Sequence, residues 1–292
     1  MIALPRVSRR SVVSGLIFSA LFLSAFWPTF LWMAERFDAP DSFYSHGWLI
    51  PFASAGLVWQ RREQVRRCQV RASFSGLALL VPSLLLHVVA TWWHLGFLSG
   101  LAMVSAIWGL VWTLWGWPML WTLRFPMLFL LFMVPLPGVL LIAISFKMKL
   151  AAATLATHAI HFLGISAQQA GSTIQVPGVS VIVDDTCSGL RSLISLLALS
   201  TLWISLMPPS ARRWHKLTVV AASLPIALVA NMVRIIGLVL LAVIYGPRVA
   251  SGFLHYGSGI VVFGVALAAL AWLSSRLVKT PHDAVISGRA CS

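Results

Sequence analysis

Long apolar runs separated by short basic clusters set the terms for this 292-residue chain. A run of about 20 apolar residues has one common fate, a helix across a lipid bilayer, because lipid offers the backbone no hydrogen-bond partners. Such runs lie at about 12–34, 43–60, 74–93, 95–115, 125–144, 188–207, 217–244 and 257–276. None alternates with the period of two that a barrel strand shows. Only 10% of residues are charged and 59% are hydrophobic, whereas a soluble domain is about a quarter charged. The fold class expected is all-α, a polytopic membrane protein of about eight transmembrane helices.

The net charge of +14 invites a nucleic-acid reading, but the cations form no continuous face. They cluster between alternate runs: Arg6, Arg9 and Arg10; Arg61, Arg62, Arg66, Arg67 and Arg71; Arg124; Arg212, Arg213 and Lys216; Arg276, Lys279 and Arg289. These are 15 of the 21 Lys and Arg, so the positive-inside rule places both termini in the cytoplasm and favours an even number of spans. No nucleic-acid partner is expected. The first run is too long for a signal-peptide core, and no small-residue cleavage site follows it. Residues 1–279 read as one integral-membrane domain, and 280–292 as a disordered cytoplasmic tail.

Between the fifth and sixth runs, Ser145–Gly164 carries Lys147, Lys149, His158 and His161. It reads as an interfacial amphipathic helix or as part of a longer bent one. Gln168 to Thr186 is β-branched and punctuated by Gly and Pro, the pattern of a short extracytoplasmic hairpin or strand. It leads to Asp184-Asp185-Thr186-Cys187-Ser188-Gly189-Leu190-Arg191, with Thr186 as the expected N-cap of the sixth helix.

An ionisable side chain inside a span is costly and points to function. Arg234, in Asn231-Met232-Val233-Arg234-Ile235, falls about ten residues, or roughly 15 Å, from the outer end of the seventh run. His255 opens the eighth run on the same side, and Cys187 opens the sixth. Topology therefore brings three distant positions to one depth. A thiolate is a nucleophile whose pKa falls beside a helix N-terminus or a cation, a histidine passes protons to and from it, and an Arg holds an oxyanion or a carboxylate. Arg191, at i, i+4 from Cys187, is either a thiolate stabiliser or the partner of Asp184 and Asp185. Asn231, three residues from Arg234, marks a polar pocket rather than a snorkelling side chain.

Other features read as structural. Cys68 and Cys291 make neither a disulfide framework nor a metal pair with Cys187. His158 and His161 have no acidic or Cys partner nearby, so no metal and no cofactor are expected. His87 and His94 flank the outer end of the third run and read as interfacial. No HExxH occurs. Gly257-Ser258-Gly259 approaches a serine-protease-like GxSG elbow, but Tyr256 takes the place of the first Gly, and small residues there serve helix packing.

Taken together, Cys187-Ser188-Gly189-Leu190-Arg191-Ser192, then Asn231-Met232-Val233-Arg234-Ile235, then His255 ahead of Gly257 resemble the exosortase/archaeosortase family of membrane transpeptidases, as does the Pro-rich run Phe125 to Pro137. The resemblance covers about residues 40–277. It implies a catalytic Cys187, Arg234 and His255, with Arg191, Asn231, Ser188 and Asp185 supporting the site or binding substrate. It implies a cysteine peptidase of the bacterial inner membrane whose active site faces outward. Its expected partners are secreted proteins ending in a short PEP-like motif, a transmembrane helix and a basic tail, and a surface acceptor to which they are transferred. The rival reading is a transporter or flippase of lipid-linked glycans, with Arg234 and Arg191 gripping phosphate.

Overall fold

A computed structural model describes residues 9–40, 42–183, 188–208, 211–246 and 253–277, with backbone only for 9–16 and 253–256. The chain divides into two compact units at Pro137/Gly138.

In the first unit, α1 (Arg9–Ala25) and α2 (Trp27–Asp38) meet at a 62° bend. Pro28 lacks the N–H that would bond the carbonyl of Ser24, and its ring crowds that carbonyl, so the expected first span is broken. A 3₁₀ turn at Ser45–Trp48 precedes α3 (Leu49–Gln60), and α4 (Arg62–Arg67) follows. Then come α5 (Leu77–Trp92) and α6 (Gly96–Trp115), where the third and fourth spans were expected, and α7 (Trp117–Phe129).

The bend leaves the end of α1 with carbonyls to satisfy, and His87 of α5 supplies a donor. Its Nε2 lies 2.9 Å from the carbonyl of Ala25, its Nδ1 2.8 Å from Ser99 Oγ, and Ser99 Oγ 2.6 Å from Thr29 Oγ1. A carbonyl only accepts, so in a neutral ring Nε2 carries the proton, Ser99 donates to Nδ1, and Thr29 donates to Ser99. His87 is buried. The expected interfacial role is therefore corrected: His87 is a core residue that caps a broken helix. His94 occupies the α5–α6 turn with φ 56.

The fifth expected span, 125–144, is also corrected. A 3₁₀ turn at Leu130–Met133 ends the helical path of α7, and Pro135 and Pro137 forbid its continuation. A new helix of 25 residues, α8 (Gly138–Phe162), begins the second unit. Lys147 and Lys149 thus lie within a longer helix, the second of the two readings of Ser145–Gly164.

After α8 the expected extended segment forms a three-stranded antiparallel sheet, β1 (Gln168–Ala170), β2 (Thr173–Val176) and β3 (Val179–Ile182). Pro177 and Gly178 connect β2 to β3, and Gly178, at φ +81, supplies the left-handed residue that a type II turn needs. Helices α9 (Leu190–Leu206), α10 (Arg213–Tyr245) and α11 (Phe253–Leu277) complete the unit. Ala153, Ala156 and Ile160 of α8 bury against Ile174 and Val176 of β2 and Ile235, Leu238 and Val239 of α10. A second cluster joins Leu196 of α9, Val219 and Ala227 of α10, and Ala266 and Leu270 of α11.

Among the described residues, five helices are long and apolar enough to cross a membrane, or six if α1 and α2 are one broken span. Two shorter apolar stretches, Trp117–Met133 and Leu190–Leu206, stand beside them. The protein is a multi-pass membrane protein.

Candidate functional site

The site is assembled in the second unit from the start of α9, the C-terminal half of α10 and the first turns of α11. The chain enters α9 through Ser188 and Gly189. Ser188 is buried, and its Oγ accepts a hydrogen bond from the Leu190 amide at 3.3 Å. That satisfies one of the donors a helix start leaves open. Gly189 is the N-cap residue and sits at φ 79, ψ −3, in the left-handed region that a side chain disfavours. The N-cap expected at Thr186 is therefore displaced by three residues.

Gly189 is also where α9 meets α10. A Cβ at Gly189 would stand 2.8 Å from Asn231 Cγ and 2.9 Å from Asn231 Nδ2, so the bare backbone lets the Asn231 amide lie directly beneath it. Asn231 is buried, and one turn further along α10 Arg234 is 9% exposed. Eleven residues separate Arg234 from the end of α10 at Tyr245, about 16 Å along the axis.

Arg234 is held from the α11 side. Its Nε donates to Ser258 Oγ at 3.2 Å. A Cβ at Gly259 would lie 3.6 Å from Cζ and Nη2 and 3.9 Å from Nη1. These near-equal distances mean that the face of the guanidinium, not its edge, covers the backbone of α11. Below it is a cavity of about 10 Å³, lined in part by Ser192, Ala227, Asn231, Arg234 and Gly259. That volume admits at most about one water.

Asn231 of α10 thus meets Gly189 at the start of α9, and Arg234, one turn on, meets Ser258 of α11; the expected convergence of Arg234 with Cys187 and His255 falls on side chains outside the described residues. Arg191 follows in the first turn of α9, half-buried, and its Nε has no hydrogen-bond partner among the described residues. The i, i+4 relation expected between Cys187 and Arg191 is corrected. Helix α9 begins at Leu190, and left-handed Gly189 interrupts any continuous helix face between the two. Cys187, Asp184, Asp185 and Thr186 lie outside the described residues. His255 belongs to the first turn of α11, three residues before Ser258, and is described by its backbone.

Sequence reasoning missed Ser258 as a polar contact and Gly189 as the seat of Asn231. The available signal was small residues at the depth of a long cation, which only a register between helices turns into a contact.

The model of the transmembrane exosortase family matches residues 27–272, most of the chain. No curated protein matches the chain, and no solved structure does.

Proposed function

The chain belongs to the transmembrane exosortase family, and on that premise we propose that it is a membrane-embedded cysteine transpeptidase that cleaves C-terminal sorting signals of secreted proteins. Cys187 is the nucleophile, His255 the acid–base group and Arg234 the fixed cation. The site faces the exterior of the inner membrane.

The thiolate of Cys187 attacks the scissile carbonyl, forming the C–S bond and a tetrahedral oxyanion. Arg234 lowers the energy first of the thiolate and then of the oxyanion. His255 takes the thiol proton and delivers it to the amine of the departing C-terminal segment as the C–N bond breaks. A nucleophile on the surface acceptor then attacks the thioester, loses its proton to His255, and releases Cys187. Ser188, Asp185 and Arg191 surround the nucleophile in sequence. Asn231 supports the turn at Gly189, two residues beyond Cys187.

The observation that carries this reading is the buried Arg234, fixed between α10 and α11 one turn from the residue that packs under Gly189. A charged side chain at the centre of a span costs about 2.5–3.5 kcal/mol on insertion scales. A packing role does not require that cost, because an apolar side chain would fill the space.

The test is co-expression with tail-anchored secreted proteins encoded in the same genome. Cys187→Ala abolishes shortening of the substrate while the protein still accumulates in the membrane; continued processing refutes the assignment. A fast reaction of Cys187 with iodoacetamide at neutral pH separates this reading from a flippase, in which Cys187 is an inert packing residue.

A further inference from the structure

We propose that Ser258 is a positioning residue, whose hydroxyl fixes the plane of the Arg234 guanidinium so that its charge acts on the Cys187 thiolate. This rests on the reading of Arg234 as the site's cation.

An arginine has five N–H donors, four of them on the terminal nitrogens. The Nε hydrogen is the one on the stem, so a bond to it sets the rotation of the whole guanidinium plane and with it the direction of Nη1 and Nη2. Ser258 Oγ accepts that hydrogen at 3.2 Å. Gly259 completes the seat, since its missing side chain lets the guanidinium face lie against α11. Burial strengthens the contact, because a hydrogen bond to a charged group gains in a low-dielectric site.

Packing alone does not account for Ser258. Alanine is a better helix former and fills the same space without a hydroxyl. Position matters too: Ser258 follows His255 by three residues, so the turns of α11 that carry the acid–base group also carry the hydroxyl that orients the cation. The Gly257-Ser258-Gly259 motif thereby has a role other than that of a nucleophile elbow.

The experiment follows iodoacetamide alkylation of Cys187 against pH in the purified full-length protein, with Cys68→Ser and Cys291→Ser leaving one thiol. Asp184, Asp185, Arg191, His255, Lys147 and Lys149 are kept in every variant, so that only the Arg234–Ser258 pair changes. Arg234→Met moves the profile to higher pH. Ser258→Ala moves it in the same direction by less, and a half-unit displacement slows alkylation at pH 7 about threefold. Ser258→Thr keeps the hydroxyl and stays on the parent profile. If Arg234→Met shifts the profile and Ser258→Ala does not, the role of Ser258 is overturned and that of Arg234 stands. Equal shifts in the Thr and Ala variants also overturn it, because the hydroxyl is then not the operative group. If Arg234→Met leaves the profile in place, the thiolate role of Arg234 and the inference both fall.

Discussion

Replacing Gly189 by alanine concentrates two separate penalties on one methyl group. The first is conformational: at φ 79 a side chain meets its own backbone, at about 1–2 kcal/mol. The second is steric. The new Cβ stands 2.8 Å from Asn231 Cγ and 2.9 Å from Nδ2, and Asn231 is buried, so relief requires backbone movement at the α9–α10 contact. Overpacking of this kind costs about 1–3 kcal/mol. The sum, about 2–5 kcal/mol, is a large share of the marginal stability of most folded units. In detergent the unfolding midpoint should fall on the order of 5–15 °C. Asn231→Ala tests the partition, because it deletes Cγ and Nδ2 and leaves Cβ at 3.1 Å, a contact that a shift of a few tenths of an ångström relieves. The double variant should therefore recover about 1 kcal/mol or more of coupling energy. A Gly189→Ala protein within about 0.5 kcal/mol of the parent would refute the close approach of Gly189 to Asn231. A normal penalty with no coupling would confine the cause to backbone conformation.

Arg234→Lys keeps the charge but loses the stem donor that Ser258 holds, so substrate processing should fall by about a hundredfold or more, read as the cleaved fraction over time. His87→Ala strands the carbonyl of Ala25 and the hydroxyl of Ser99, at about 1–3 kcal/mol of stability in thermal unfolding; an unchanged midpoint would remove His87 as the cap of the bend. The positive-inside rule predicts a cytoplasmic basic segment around Cys68, so a membrane-impermeant maleimide should reach Cys187 in intact spheroplasts and Cys68 only after lysis. Labelling of Cys68 before lysis would invert the topology.

Where helices begin and end was legible when a single run decided it. The runs 74–93 and 95–115 correspond to Phe74–Trp92 and Gly96–Trp115, and 217–244 lies within Arg213–Tyr245. Prolines inside apolar stretches were not weighed heavily enough. Pro28 breaks the first run and Pro135 and Pro137 break the fifth, because hydropathy counts proline as tolerable while the backbone loses a donor. His87 was misread for another reason. A histidine near a run's end looks interfacial, and nothing local announces that a broken helix will present a carbonyl to it from 62 residues away. At the site, the place of Asn231 and Arg234 within one long helix was legible, because a single apolar run carries both. The contact of Arg234 with Ser258 was not, because it depends on the rotational register of α10 against α11.

Two buried polar systems of this protein show why burial alone does not identify a site. In the first unit, Thr29, Ser99 and His87 pass hydrogen bonds in one direction to the carbonyl of Ala25. No partner in that chain is permanently charged and its end is a backbone atom, so the network is explained by the helix bend it repairs. In the second unit the residue held in place is an arginine, always ionised. Among the described residues, neither a helix bend nor a strand end near it requires a charge. Ser258 and Gly259 orient that charge from the α11 side. A fold that needed Arg234 only as filler would gain by replacing it with methionine, which inserts into a bilayer at lower cost. Arg234→Met should accordingly leave membrane accumulation and thermal stability equal to or above the parent while abolishing processing. A variant that loses stability and activity together would make Arg234 a structural residue and would withdraw the main support for the site.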